Sequence, residues 1–202
     1  VATRFRPADE LLVEYARFHR DRRNIHTHLV GIPLMVFGLA VLFSRPPLAT
    51  ADWAGLRWVL TPAVLLWALS TPWYLSRGLP GLGLLVGAMH AVLVLAATPL
   101  GQAGSATWLG WGLGPLLLGG LLHLAGHYYE GRAPGLVQDL IDLLAAPLFV
   151  VAEMLFSLGW LATLRQKVER EAGPTRLRDL TGPLTSMPGA GRRTPRPHRA
   201  AR

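Results

Sequence analysis

The sequence predicts an all-α integral membrane protein: a bundle of about four transmembrane helices plus a broken re-entrant or interfacial helix. Three observations lead there. Of the 20 Lys and Arg residues, six lie at or before Arg23 and ten at or after Arg165, so only Arg45, Arg57, Arg77 and Arg132 interrupt the middle. That middle is a series of apolar runs parted by short turns rich in Pro and Gly. Runs of such length with so few cations read as lipid-facing rather than as a soluble core. The fifth run, finally, carries acidic residues and a proline where a plain crossing would have neither.

Taken in order, residues 1–28 are an Arg-rich cytoplasmic N-terminal segment with a short helix, polar enough that no cleaved signal peptide is visible. The transmembrane helical domain occupies 29–164. Its first apolar run, 29–43, has 15 residues, about 22 Å of helix against a hydrocarbon layer of roughly 30 Å, so the helix borrows flanking residues from near Asn24. Runs 56–76, 82–100 and 108–125 supply the remaining crossings. The run 136–164 holds Asp139, Asp142 and Glu153 and is split by Pro147, which removes a helical hydrogen bond and breaks the element. A basic tail, 165–202, is expected to be disordered after 181, where Pro, Gly, Ser and Arg displace apolar residues.

Arginine at both ends places both in the cytoplasm, which requires an even number of crossings, economically four. Arg77 then falls inside and the uncharged 101–107 loop outside, whereas Arg45 and Arg57 run against the rule. The Arg- and Ala-rich character points to a bacterial inner membrane. The net charge of +8 resides mainly in the tails and suits anionic membrane lipid rather than nucleic acid. With no cysteine there is no disulfide framework and no thiolate metal site. The Gly-x-Gly pairs lie inside apolar helices, where close helix packing explains them.

Histidines carry the chemistry. His123, His127 and Glu130, spaced four and three apart, stack on one helical face, as a chelating pair with a carboxylate nearby requires. A hydrogen bond from His123 to a neighbouring helix, with Glu130 at the water boundary, is the plainer alternative. His19 and His28 are nine apart, on opposite faces of any continuous helix. They share a metal only if the chain bends, and 20–24, with a helix-capping Asn24, is the place for it. His28 opens the first crossing and His127 closes the fourth, so both occupy one depth. His90 lies about 12 Å deeper and suits a helix-to-helix hydrogen bond; His26 and His198 read as solvated.

The segment Tyr15-x3-His19-x4-Asn24-x3-His28-x4-Pro33, followed by Gly126-His127-x2-Glu130-x3-Pro134 and then by Pro147 and Glu153, resembles the 2-hydroxy fatty acid dioxygenase family of small membrane proteins. The likeness runs from about residue 11 to 160. It implies an Fe(II)-dependent dioxygenase that shortens a 2-hydroxy fatty acid by one carbon with O2, in fatty acid α-oxidation. By position it implies His19, His28 and His127 as iron ligands, with Asn24 and Glu130 beside them as catalytic residues. His123 stands where many relatives are expected to carry glutamine, and its spacing keeps it a fourth candidate ligand. Neutral imidazole suits Fe, Zn or Cu, and an ion with few protein ligands leaves room for O2 and for the substrate's carboxylate and hydroxyl. Arg17, Arg20, Arg22, Arg23 and Arg132 are placed either to attract that carboxylate or to anchor on lipid phosphates. Two readings from other classes compete: a Zn-dependent membrane lipid hydrolase, which iron without zinc together with oxygen uptake would exclude, and a noncatalytic transporter or scaffold using the intramembrane His and acidic residues.

Overall fold

A computed structural model describes residues 6–131 and 140–181. Among these are seven helices and one hairpin: α1 (Ala8–Ala16), α2 (Arg22–Phe43), β1 (Ala49–Trp53), β2 (Leu56–Leu60), α3 (Pro62–Leu75), α4 (Pro80–Gly101), α5 (Ser105–Glu130), α6 (Leu140–Ser157) and α7 (Ala162–Ala172). Arg132, Pro134, Asp139 and the tail expected to be disordered after 181 lie outside the described residues, apart from Thr181 itself. Helices α2, α4 and α5 are each long and apolar enough to cross a membrane. The α6 and α7 helices meet at a bend of 116°, a broken span or re-entrant loop, so three or four elements qualify. The expected helical membrane bundle with a broken final element is what the chain forms, but the break is not at Pro147, which lies inside α6; it falls between α6 and α7, where Gly159 and Leu161 take positive φ.

The first helix borrows flanking residues as anticipated, reaching back to Arg22 for 22 residues, about 33 Å. Its cap, however, is Asp21 and not Asn24: the Asp21 carboxylate accepts from the Arg23 N–H at 2.8 Å, while Asn24 is buried inside the first turn. Aspartate caps as well as asparagine and adds a negative charge at the positive helix end.

The run 56–76 is not one crossing. Its first five residues form β2, and α3 keeps 14 residues, about 21 Å against a layer of roughly 30 Å. Ala54 and Gly55 both take positive φ, 53° and 75°, the two-residue turn whose twist suits paired strands. Register then sorts the hairpin: Ala49 faces Leu60 and Ala51 faces Trp58, while Thr50 faces Val59 and Asp52 faces Arg57. Arg57, on the wrong side by the charge rule, thus has a carboxylate residue as cross-strand partner. Arg45, the other exception, lies 4.5 Å over the Trp108 ring and donates to Ser105 Oγ at 3.1 Å.

Antiparallel α2 and α5 pack backbone to backbone. A Cβ on Gly31 would lie 2.9 Å from the Gly119 carbonyl, and one on Gly38 would lie 2.8 Å from the Leu116 nitrogen. Gly112, Gly119 and Gly126, seven residues apart, supply the α5 side, the small-residue seam that lets membrane helices approach closely. Packing does not explain every Gly-x-Gly pair, because Gly110 and Gly114 face open space while Gly112 between them is filled by Leu42.

Across one end of the bundle lies α1. Its Leu11, Leu12 and Val13 pack with Leu148, Phe149 and Ala152 of α6 and Val168 of α7, and Asp9 pairs with Lys167. Beyond α7 the chain returns to the same end, where Arg176 forms a parallel bridge with Asp21.

Candidate metal centre

The break between α1 and α2 turns His19 back toward α2. The α1 helix closes at Ala16, and the His19 N–H donates to the Ala16 carbonyl at 3.0 Å. The imidazole stacks on Tyr15, centroids 4.1 Å apart and planes 3° from parallel, with Nδ1 2.7 Å from the Tyr15 carbonyl. His28, in the second turn of α2 and fully buried, sets Nδ1 2.9 Å from the Asn24 carbonyl. A carbonyl only accepts, so the hydrogen-bond network assigns each proton to Nδ1 and leaves the Nε2 lone pair free. Both Nε2 atoms are buried and unpartnered. From α5 come His123 and His127, their Nε2 atoms 3.1 Å apart, with both Nδ1 atoms buried and unpartnered.

The four rings close on one another. Centroid separations are 4.6 Å for His19 and His28, 4.4 Å for His28 and His123, 4.6 Å for His123 and His127, and 5.4 Å for His19 and His127. One ligand nitrogen from each of His19, His28 and His127 falls within 4.8 Å of the others. Buried nitrogens left without partners destabilise a fold by about 1–3 kcal/mol each, and a bound cation satisfies several at once. The 3.1 Å between His123 and His127 also fits two bonds of about 2.0–2.1 Å to one ion at roughly 95–100°. The donor set therefore suits a metal. Burial, and next the neighbouring His28, hold His19 well below the usual histidine pKa, keeping it neutral, the form that ligates.

Glu130 serves a different neighbour from the imidazoles. Its Oε2 accepts from the Arg20 N–H at 2.9 Å, the Asp21 N–H at 2.8 Å and Asn24 Nδ2 at 3.1 Å, tying the α1–α2 junction to the end of α5. Asn24 Oδ1 is buried without a partner. Arg20 is buried as well, its Nε donating to the His19 carbonyl at 3.0 Å and its Nη2 to Glu153 at 3.4 Å, whereas Arg17 and Arg22 are exposed. His90 packs against Tyr74, centroids 5.7 Å apart, away from the other histidines. The exposed His26 rims a cleft of about 320 Å³ between α2, α6 and α7, on another face of α2 from His28. Sequence reasoning gave Asp21 and Phe149 no part; the Phe149 ring lies 5.6 Å from His19. Aspartate directly before a helical run was the available signal for the cap.

The family described as "2-hydroxy-palmitic acid dioxygenase Mpo1-like" matches residues 5–158. The chain belongs to this Mpo1-like family. Among curated proteins, the 2-hydroxy-palmitic acid dioxygenase MPO1 of Saccharomyces cerevisiae is 26% identical over 159 residues, covering 78% of this chain and 84% of that relative. No solved structure matches the chain. The Mpo1-like stretch contains α1 through α6, with all four clustered histidines, Asn24 and Glu130. It ends before α7 and the returning segment.

Proposed function

We propose that this Mpo1-like protein is an Fe(II)-dependent dioxygenase that shortens 2-hydroxy fatty acids by one carbon with O2 at a membrane boundary. The observation that carries the reading is the convergence of one ligand nitrogen from each of the buried His19, His28 and His127 within 4.8 Å, with Nε2 of His19 and of His28 left unpartnered. These three would hold the ion, with His123 beside them as the fourth candidate. When bound, iron(II) supplies oxygen activation and a point at which the carboxylate and 2-hydroxyl of the substrate are oriented together.

The chain's own residues do the rest. The Tyr15 and Asn24 carbonyls fix the His19 and His28 tautomers. Glu130, with Asn24, holds the junction that carries His19 at its distance from α5. His123 is the least buried of the four, and Leu121 and Leu124 beside it on α5 are exposed, offering an apolar approach for an acyl chain. The deciding experiment is anaerobic purification in detergent, metal analysis, and addition of 2-hydroxypalmitate with O2. Bound iron, oxygen uptake and the acid one carbon shorter are expected; bound zinc with no oxygen uptake would favour the hydrolase instead.

Two further outcomes are expected. His123→Gln should retain more activity than His127→Gln, because His127 is in the family motif and buried whereas His123 is only partly buried. Equal and complete loss in two well-folded variants would make His123 an obligatory ligand. Tags on both termini should be reachable from the cytoplasm, an orientation supported by the Asp9–Lys167 pair and the Asp21–Arg176 bridge, which gather both ends of the described chain at one end of the bundle. Labelling of only one terminus from outside would overturn that topology.

A further inference from the structure

The junction that presents His19 is held from two sides, and the second side comes from outside the family match. Residues 17–21 carry no helix between α1 and α2 beyond an isolated bridge at Asp21, so the position of His19 depends on what grips its neighbours. Glu130 grips the backbone nitrogens of Arg20 and Asp21. On the opposite side lies the extended segment after α7. The Arg176 N–H donates to the Arg20 carbonyl and the Arg22 N–H to the Arg176 carbonyl, each at 2.9 Å. The Arg178 N–H donates to Asp21 Oδ2 at 2.7 Å, and Arg23 Nη2 to the Arg178 carbonyl at 2.7 Å. Arg20 Nη1 donates to the Gly173 carbonyl at 3.0 Å.

We propose that residues 173–178 are a positioning strap, fastened through the backbone and Asp21, that fixes His19 against His28 and His127. The proposal rests on the metal reading of the histidine cluster. Asp21 is the knot, fully buried, its carboxylate accepting from the Arg23 N–H at 2.8 Å, from Arg23 Nη2 at 2.8 Å and from the Arg178 N–H at 2.7 Å. The strap also reaches α5, where Arg178 Nη1 donates to the Tyr128 carbonyl at 3.4 Å. Gly131, in left-handed conformation with φ of 73°, leaves room for the Arg178 guanidinium that any Cβ would overlap. One short segment thus touches both elements whose separation sets the cluster.

The test uses cobalt(II) as a spectroscopic probe on purified full-length protein, on a chain ending at Ala172, and on two substitutions. Arg176→Pro removes the N–H that donates to Arg20, whereas Arg176→Ala keeps it. The shortened chain and Arg176→Pro should bind cobalt about tenfold or more weakly, the loss typical of groups that orient ligands, with altered absorption bands and unchanged helix content. Arg176→Ala should bind as the parent does. Amide exchange at residues 17–24 should speed up in the same two weakened variants. Full-strength cobalt binding with parental bands in both would overturn the strap while leaving the histidine site standing. If the full-length chain binds no cobalt, the metal reading falls instead; exchange at 17–24 then decides, since unchanged protection overturns the strap and lost protection supports it. Should the shortened chain fail to fold, the Pro and Ala pair carries the same comparison.

Discussion

Replacing His19, His28 or His127 with alanine is expected to strip bound iron from the protein and to end conversion of a 2-hydroxy acid to the acid one carbon shorter. Each change alone should do nearly as much as all three together. Groups that ligate one ion act as a unit, so their losses do not add, unlike those of distant independent sites. The geometry supports the same pattern, because one ligand nitrogen from each of the three lies within 4.8 Å of the others and two of the rings are fixed by backbone carbonyls. His90→Ala is the control: it sits against Tyr74 and should leave iron content intact. The measurement is iron stoichiometry and product formation in each well-folded variant. Full iron occupancy with normal turnover after His19→Ala would remove that residue from the centre and leave the membrane fold untouched.

Gly126→Ala should be nearly as damaging, although it alters no ligand. A Cβ at this position would overlap Asn24 Oδ1 and Thr27 Oγ1 and lie 2.9 Å from His28 Nδ1. Asn24 and His28 cannot step aside easily, since both are fully buried, Asn24 is bonded to Glu130, and His28 Nδ1 is bonded to the Asn24 carbonyl. Helix α5 must therefore move off α2, carrying His127 away from His28. Overpacking of this kind destabilises by about 1–3 kcal/mol, and a misplacement of about 1 Å at a reacting centre can lower turnover about a hundredfold. Gly120→Ala, on the same helix but facing open space, should be neutral or stabilising by up to about 1 kcal/mol. Thermal unfolding in detergent with metal analysis separates the two. Parental iron and turnover in Gly126→Ala would show that the seam does not set the ligand spacing.

How far the sequence carried depends on the kind of signal each feature leaves. Long apolar runs announce helices, and a polar interruption between His19 and His28 announces a bend, so α2, α4, α5 and the convergence of His28 with His127 were legible. The run 56–76 misled because a short apolar stretch fits a strand as readily as a helix. The β-prone pair Trp58 and Val59 just behind the Ala54-Gly55 turn was the clue to β2. Asn24 looked like a cap because of its residue type, but a cap is defined by backbone angles at one position, and Asp21 held it. Glu130 spaced three from His127 looked like part of a chelating face, whereas its carboxylate serves backbone nitrogens 109 and 110 residues away. Such partners leave no pattern along the chain. The same holds for the segment 173–178, most of whose links run through main-chain atoms.

That segment also imposes an order of assembly. His19 and His28 are made early and lie close in the chain, yet His127 emerges about a hundred residues later, and Arg178 pairs with Asp21 across 157 residues. A chain synthesised from its N-terminus can insert its helices in turn, but the junction at 19–23 cannot be gripped from both sides until residues 173–178, which follow α7, have been made. Contacts so distant along the chain form late in folding. A segment made after all seven described helices is the one that draws the first histidine of the cluster into place, so the geometry at His19 is completed only after α2 and α5 have met.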